Sequence, residues 1–330
     1  MLRSARTSCL AGSLALAAAA GAALPGAVAC NACDLYYQPV VWAAQVSPVE
    51  ADLFAVAAAQ GVVVAVGAGG AIARQAGEAA WTAPASATDA SLRGVAFTRD
   101  ETVVAVGDGG VVVRSTDAGE TWAVIDAGVT DDLVGVTCSE EGTCVAVGDG
   151  VLRLSTDAGA SWGQPAEVPA ELGDLRAVAF DPSVPNAFIA VGLDGAVVLS
   201  EDGQTWTAMP GASADFQALA THAGRWVLAG ADGAVFLLID GEFVDESQFD
   251  TTTITGITRD GEWLVREDGV VISGSPFWYA ETAVRTEEEL PPLRAVTPIG
   301  DEAIIVGDGG LIGRARISDE LECDRRFAAR

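Results

Sequence analysis

Short apolar runs separated by Gly, Asp and other turn residues recur along this chain at an interval of about 40 residues, the length of one four-stranded repeat unit. The marker is a Gly closing an apolar run, found at Gly67, Gly107, Gly148, Gly192, Gly230 and Gly307, with Arg266 in the same slot of one irregular unit. That makes seven copies. The clearest copy divides into Leu92–Phe97, Thr102–Gly107, Val111–Ser115 and Thr121–Asp126, each bounded by turn residues, and these are strands A to D of one unit. Val103-Val104-Ala105-Val106 is apolar throughout, as expected of a strand covered on both faces. Asp-Gly follows strand B at Asp108, Asp149, Asp194, Asp232, Asp268 and Asp308, a tight-turn signal before strand C. A calcium role for these turns is disfavoured, because each brings one acid where Ca²⁺ takes several oxygen ligands.

Seven such units predict an all-β, seven-bladed β-propeller of four-stranded blades. The last unit has strands A to C from Leu293 to Ile317 but no fourth strand with a Trp, whereas Val40-Val41-Trp42 stands alone before the first unit. The N-terminal strand is therefore expected to complete the last blade and close the ring. The expected organisation is an export signal over residues 1–29, a short tether over 30–37, one propeller over 38–323 and a tail over 324–330.

The most specific motif joins strands C and D. It reads Ser115-Thr116-Asp117-Ala118-Gly119-Glu120-Thr121-Trp122, recurs as Ser155-Thr156-Asp157-Ala158-Gly159-Ala160-Ser161-Trp162, and shortens to Ser200-Glu201-Asp202-Gly203-Gln204-Thr205-Trp206. Asp can accept backbone N–H bonds in such a turn, Gly can take positive φ, and Trp can bury a large ring. The motif resembles the Asp-box, or bacterial neuraminidase repeat. Together with Val-Gly-Asp-Gly-Gly before strand C it resembles the photosystem II stability and assembly factor family of propellers, over roughly residues 52 to 318. The units around Trp81 and Trp278 carry eroded boxes, and the fifth has Phe243 in place of Trp. The resemblance implies a non-enzymatic propeller that assists assembly or stability of a membrane complex by holding a protein or peptide partner, without a cofactor.

The N-terminus and the charge fix the setting. Arg3 and Arg6 precede an apolar run from Leu10 to Leu24, and Pro25 and Gly26-Ala27-Val28-Ala29 follow, the pattern of a cleaved export signal. The chain contains no Lys and carries a formal charge of −28, so its surface repels nucleic acid. Such acidity fits a solvated surface, a cationic partner or a salty medium. A monomer in the cell envelope or a secreted protein is expected.

Of the six Cys, Cys9 leaves with the signal. Cys138 and Cys144 flank a short A–B hairpin loop and are expected to pair. If Trp42 lies in the closing strand, Cys33 and Cys323 fall at one turn. A bridge there would restrain distant chain ends by roughly 4–5 kcal/mol. Cys30 then follows Ala27-Val28-Ala29 directly, a position resembling a bacterial lipobox with Ala27 in place of the usual Leu; lipidation would tether the protein to a membrane, and ordinary signal cleavage is the alternative. Cys30-Asn31-Ala32-Cys33 lacks the His of a haem motif, the second Cys pair of a zinc site and the βαβ surroundings of a redox site.

A carbohydrate-active propeller, either a sialidase-like glycosidase or a lectin, is the competing class, because Asp-boxes also occur in sialidases. The Arg-Ile-Pro sequence of that family is absent, Tyr36, Tyr37 and Tyr279 are expected away from the channel, and His222 belongs to an A–B loop. Acid pairs such as Asp131-Asp132 and Glu140-Glu141, and the run Glu287-Glu288-Glu289, read as solvated charge. No catalytic or metal residue is assigned. One constellation stands out: Arg93, Arg176 and Arg294 hold the same second place in strand A, where other units have Phe54, Val134, Gln217 and Thr255. Two readings stand side by side: a ring of Arg gripping a partner's carboxylates, or Arg side chains each paired with an acid of a neighbouring blade.

Overall fold

A computed structural model describes residues 36–37, 40–98, 101–183, 187–210, 213–222, 224–247, 251–258, 261–273, 283–284, 290–317 and 322–323. The backbone separates into two compact units, Val40–Ser318 and a second made of Met1–Pro39 with Asp319–Arg330. In the second unit, Tyr36–Tyr37 pairs antiparallel with Glu322–Cys323, Tyr36 opposite Cys323. Cys30 and Cys33, the export signal and the C-terminal tail lie outside the described residues, as does the Cys323 side chain, so the expected Cys33–Cys323 bridge does too.

The first unit is a seven-bladed all-β propeller. Strands A, B and C are Leu53–Ala59, Val62–Gly67 and Ile72–Ala76 in blade 1. Blade 2 runs Leu92–Phe97, Val103–Gly107, Val112–Ser115 and Ala123–Ile125. Blade 3 has Leu133–Cys138, Cys144–Gly148 and Val151–Ser155, and blade 4 has Leu175–Phe180, Phe188–Gly192, Val197–Ser200 and Thr207–Ala208. Blade 5 comprises Phe216–His222, Arg225–Gly230, Val235–Ile239 and Glu242–Asp245; blade 6 comprises Ile254–Ile257, Trp263–Arg266, Val271–Ser273 and Ala283–Val284. Blade 7 is built from Leu293–Ile299, Glu302–Gly307 and Ile312–Ile317, and its fourth strand is the N-terminal Val40–Ala44.

Closure thus falls where the missing strand placed it, with Trp42 opposite Ala315 and Val40 opposite Ile317. Gly313 makes room for it: a Cβ there would collide with the Trp42 ring. Blades 1 and 3 depart from the four-stranded expectation. Their D segments are reduced to single bridges, Arg74 with Thr82 and Leu154 with Gly163, because Pro84 and Pro165 follow two residues later and cannot donate to a ladder.

The core is a ring of seven apolar clusters, one in each blade-to-blade seam. Val64, Val66 and Ile72 of blade 1 meet Leu92, Val103 and Ala105 of blade 2. The last seam packs Ile304, Val306 and Ile312 of blade 7 on Leu53, Val63 and Trp81 of blade 1. Every B strand lies between two such seams, which is why its sequence is apolar rather than alternating. The repeated Gly at the end of strand B has a backbone cause. At Gly107 a Cβ would run into the Ser91 carbonyl oxygen, and the same close approach recurs at Gly67, Gly148, Gly192 and Gly230.

Candidate functional site

In all seven blades the register of strand A against strand B slips between its first and third residues, a β-bulge at the second. The bulged residues are Phe54, Arg93, Val134, Arg176, Gln217, Thr255 and Arg294, the equivalent positions singled out in the sequence. A bulge frees one residue from the ladder and re-aims its side chain. The A strands contact one another in order around the molecule, blade 7 against blade 1, so these positions form one ring at the centre. Its members contact the neighbouring blades. The Arg93 guanidinium carbon lies 5.0 Å from the centroid of the Phe54 ring, and Thr255 Oγ1 donates to the Leu293 carbonyl at 2.7 Å.

All three Arg are held by acids. Arg93 donates to both oxygens of Asp108, Nε at 2.7 Å and NH2 at 3.2 Å. Arg294 grips Asp308 the same way, at 2.7 and 2.8 Å. Both acids belong to the B–C turn of the same blade rather than a neighbour. Arg176 reaches Asp149, in the turn of the preceding blade, at 3.4 Å and Asp174 at 3.9 Å. The Asp108 hydrogen bond raises the Arg93 pKa and the Asp308 bond raises that of Arg294, while the Arg93 bond lowers Asp108. The side chains remain a quarter to half exposed, so each pair is worth about 0–1 kcal/mol.

Acids also stitch one blade to the next on this face. The residue before strand A accepts a backbone N–H from the preceding B–C turn: Gly109 N to Asp132, Asp194 N to Asp215, and across the closure Gly309 N to Asp52, at 2.7–2.8 Å. The Asp-Gly turns come in two registers. Asp108 and Asp308 open their turns with side chains turned to Arg, whereas Asp194 and Asp232 occupy the second place at φ +53°. A cleft of about 540 Å³ between blades 4 and 5 is lined by Asp194, Asp215, Asp232, Asp245, Phe236 and Ser247 among others. No group of three His, Cys, Asp or Glu among the described residues is placed to hold a metal ion.

The C–D turns open on the other end of the blades. In the first, Ser115 Oγ donates to Asp117 Oδ1 at 2.6 Å and accepts the Gly119 N–H at 2.8 Å. Asp117 accepts from Thr121 through both its backbone N–H and its Oγ1, and Trp122 Nε1 donates to Gly119 O at 3.1 Å. The second turn repeats these bonds through Ser155, Asp157, Gly159 and Trp162. The third holds Trp206 Nε1 on Gly203 O, with Ser200 and Asp202 in the same roles. Burial pushes the Asp117 carboxyl up, but the bonds from Ser115, Thr121 and the backbone more than offset this and lower it to about 2.

Sequence reasoning missed the Arg residues of strand C that clamp these turns. Arg74 Nε donates to Ala118 O of the next blade and Arg114 Nε to Ala158 O, both at 2.7 Å. An Arg as the third residue of strand C in two successive blades was the available signal. Arg153 follows a different rule: it points into the seam with blade 2, 9% exposed, and donates to the Ala127 and Leu152 carbonyls, and burial lowers its pKa.

Of the remaining candidates, Cys138 and Cys144 form a disulfide between directly opposed residues of the blade 3 A–B hairpin. His222 ends strand A of blade 5 opposite Arg225. Tyr36 and Tyr37 belong to the second unit, and Trp278, Tyr279 and Glu287-Glu288-Glu289 lie outside the described residues.

The class this geometry defines is a seven-bladed propeller with a ring of bulged strand A residues at its centre. No family model matches the chain, and no curated protein matches it. Solved structures do. A structure described as YCF48 bound to D1 peptide is 16% identical, with a TM-score of 0.67 over 86% of this chain and 99% of that one. YCF48 from Cyanidioschyzon merolae is 17% identical, with a TM-score of 0.65 over 83% and 98%. The WD40 propeller domain of Doa1 is 14% identical, with a TM-score of 0.65 over 87% and 97%. At these identities the likeness is one of fold.

Proposed function

We propose that this chain is an exported, non-enzymatic binding propeller whose ring of bulged strand A residues holds a protein or peptide segment, in the service of assembling or stabilising a membrane complex of the cell envelope. The observation that carries the reading is the order Arg294, Phe54, Arg93 over blades 7, 1 and 2: an aromatic ring flanked by two guanidinium groups, each fixed by an Asp of its own blade. A guanidinium has five donors, and the Asp pairs use two of them. The remainder can meet a peptide's carbonyl or carboxylate oxygens, while Phe54 offers a face for an apolar side chain. The YCF48 structure of the same fold was solved with a peptide bound, and the motifs resembling the photosystem II assembly factor family point the same way.

The test is reversal of Arg93, Arg176 and Arg294 to Glu together. Capture of a partner from envelope extract is expected to fail while circular dichroism and the unfolding transition show an intact propeller; unchanged capture would remove the ring from consideration. Turnover of any glycoside by the mature protein would sink the non-enzymatic reading. The membrane tether is tested separately, by mass spectrometry of the mature N-terminus, where a diacylglycerol mass on Cys30 is expected and an unmodified Cys30 ends the idea.

A further inference from the structure

Acids of the B–C turns meet a guanidinium in four blades. Arg93 holds Asp108, Arg176 reaches Asp149, Arg294 holds Asp308, and in blade 6 Arg266 donates to both oxygens of Asp268, Nε at 3.1 Å and NH2 at 2.6 Å. The turn of blade 1, Ala68-Gly69-Gly70, carries no acid. Blades 4 and 5 are the exceptions. Asp194 and Asp232 stand at the second place of their turns, as Asp268 does in blade 6, and the backbone agrees: Gly192 N to Ala196 O, Gly230 N to Ala234 O and Arg266 N to Val270 O close the three turns alike.

Both Asp line the cleft of about 540 Å³, whose walls also hold Asp215, Asp245, Ser247 and Phe236 and, among the described residues, no Arg, Lys or His. Its volume falls in the roughly 300–1,000 Å³ range of small-ligand pockets. The walls are fixed: Asp215 accepts the Asp194 N–H at 2.8 Å, Asp245 accepts the Ser247 N–H at 2.9 Å, and Phe236 packs edge-on against Phe216, ring centroids 5.6 Å apart. The Arg ring sends no cation this way. Blade 5 contributes Gln217, two residues after Asp215, and Arg176 of blade 4 is engaged by Asp149 and Asp174. Four carboxylates thus share one cleft with no base in its walls, and a bound cation would relieve their repulsion. The acids are too dispersed for a metal ion, since no three among the described residues are placed to hold one.

We infer that this cleft is a pocket for a basic side chain of a bound segment, an arginine in the first place. A planar guanidinium meets a carboxylate with two N–H groups at once, as Arg266 does on Asp268, and can lie over the Phe236 ring. A lysine ammonium, a compact point charge, lacks that fork. The choice of occupant rests on the reading of the central face as a peptide site. In a ring of seven, blades 4 and 5 stand opposite blade 1, so a segment crossing the channel from Phe54 brings its basic residue to this cleft.

The probe is acetyl-arginine methylamide, titrated into the isotope-labelled full chain in about 0.15 M NaCl, which screens diffuse attraction beyond about 8 Å. The amide signals of Gly195, Gly233 and Ser247 should shift together, with an affinity at least tenfold above that of acetyl-glutamine methylamide. Asp194→Asn combined with Asp232→Asn should weaken binding at least tenfold; both residues sit at φ +53°, a conformation Asn tolerates, so the turns are kept. Should that variant fail to fold, Asp245→Asn, which keeps an acceptor for Ser247, must weaken binding at least threefold. Reversal of Arg93, Arg176 and Arg294 to Glu should not weaken it, so the two readings fail separately. Capture that depends on the ring, with no arginine binding, sinks the pocket alone; arginine binding with capture indifferent to the ring sinks the ring and, with it, the choice of occupant. Equal binding of the glutamine compound, displacement by equimolar calcium chloride, or shifts spread over the whole acidic surface overturn the proposal.

Discussion

Trp122, Trp162 and Trp206 each give their indole N–H to the Gly carbonyl of their own turn, but Trp81 and Trp42 have no such turn to donate to. Among the described residues the buried Nε1 atoms of Trp81 and Trp42 have no acceptor, nor does Nε of Arg314, which stands where Arg74 and Arg114 hold the turn of the next blade. All three orphan donors lie in blades 7 and 1, where the C–D turn is eroded or interrupted by the chain ends. Leaving a buried donor unpaired costs about 1–3 kcal/mol, whereas deleting it costs only its packing. Trp81→Phe is therefore expected to destabilise less than Trp122→Phe, by about 1 kcal/mol in urea denaturation; equal losses would mean that the Trp122 bond contributes nothing. Acid should find the same turns. The folded pKa of Asp117 is about 2, below that of an unfolded carboxyl, so its contribution is complete above about pH 4 and lost as pH falls toward 2. Trp122 fluorescence should report loosening in that window, and Asp117→Asn should flatten the response there.

Strand periodicity and turn residues made the seven A, B and C strands legible, because each seam demands continuous apolar B strands and a Gly at the same point. The D strands were less legible. In the sequence Thr121–Asp126 reads as a full strand, yet only Ala123–Ile125 pairs, because the preceding turn claims Thr121 and Trp122. The bulge at the second residue of strand A was hidden as well: it is present in blade 6 too, where Arg266 replaces the Gly that ends strand B, and no local signature marks it. Of the ring Arg, Arg176 meets the expected acid of a neighbouring blade, Asp149, whereas Arg93 and Arg294 turn to the Asp of their own B–C turns. Closure was legible through complementary deficits at the two ends, but the feature that seats the closing strand, Gly313 under Trp42, was not. Gly313→Val should expel that ring and unseat Val40–Ala44. A red-shifted Trp emission and fast hydrogen exchange over residues 40–46 are expected; native exchange there would mean that Trp42 is not what holds the strand.

At the scale of the whole molecule, two opposed terms act on one closed ring. Seven apolar seams make each blade depend on both neighbours, and the last seam, between blades 7 and 1, is as well filled as the others. Against this stands a formal charge of −28 with no Lys, part of it carried by the acids of the B–C turns and those before the A strands. The paired Arg offset a few of these charges, and the rest repel. Self-repulsion of this kind weakens a compact state and is screened within about 10 Å at 0.1 M salt. Raising NaCl from 10 to 500 mM should therefore raise the melting temperature by several degrees, the reverse of a fold held by surface ion pairs. Because the ring is closed, the transition should shift as one step and not split into separate blades. Salt-independent melting would show that the acids are neutralised by bound cations, whereas a split transition would show that the seam at the closure is weaker than its packing implies.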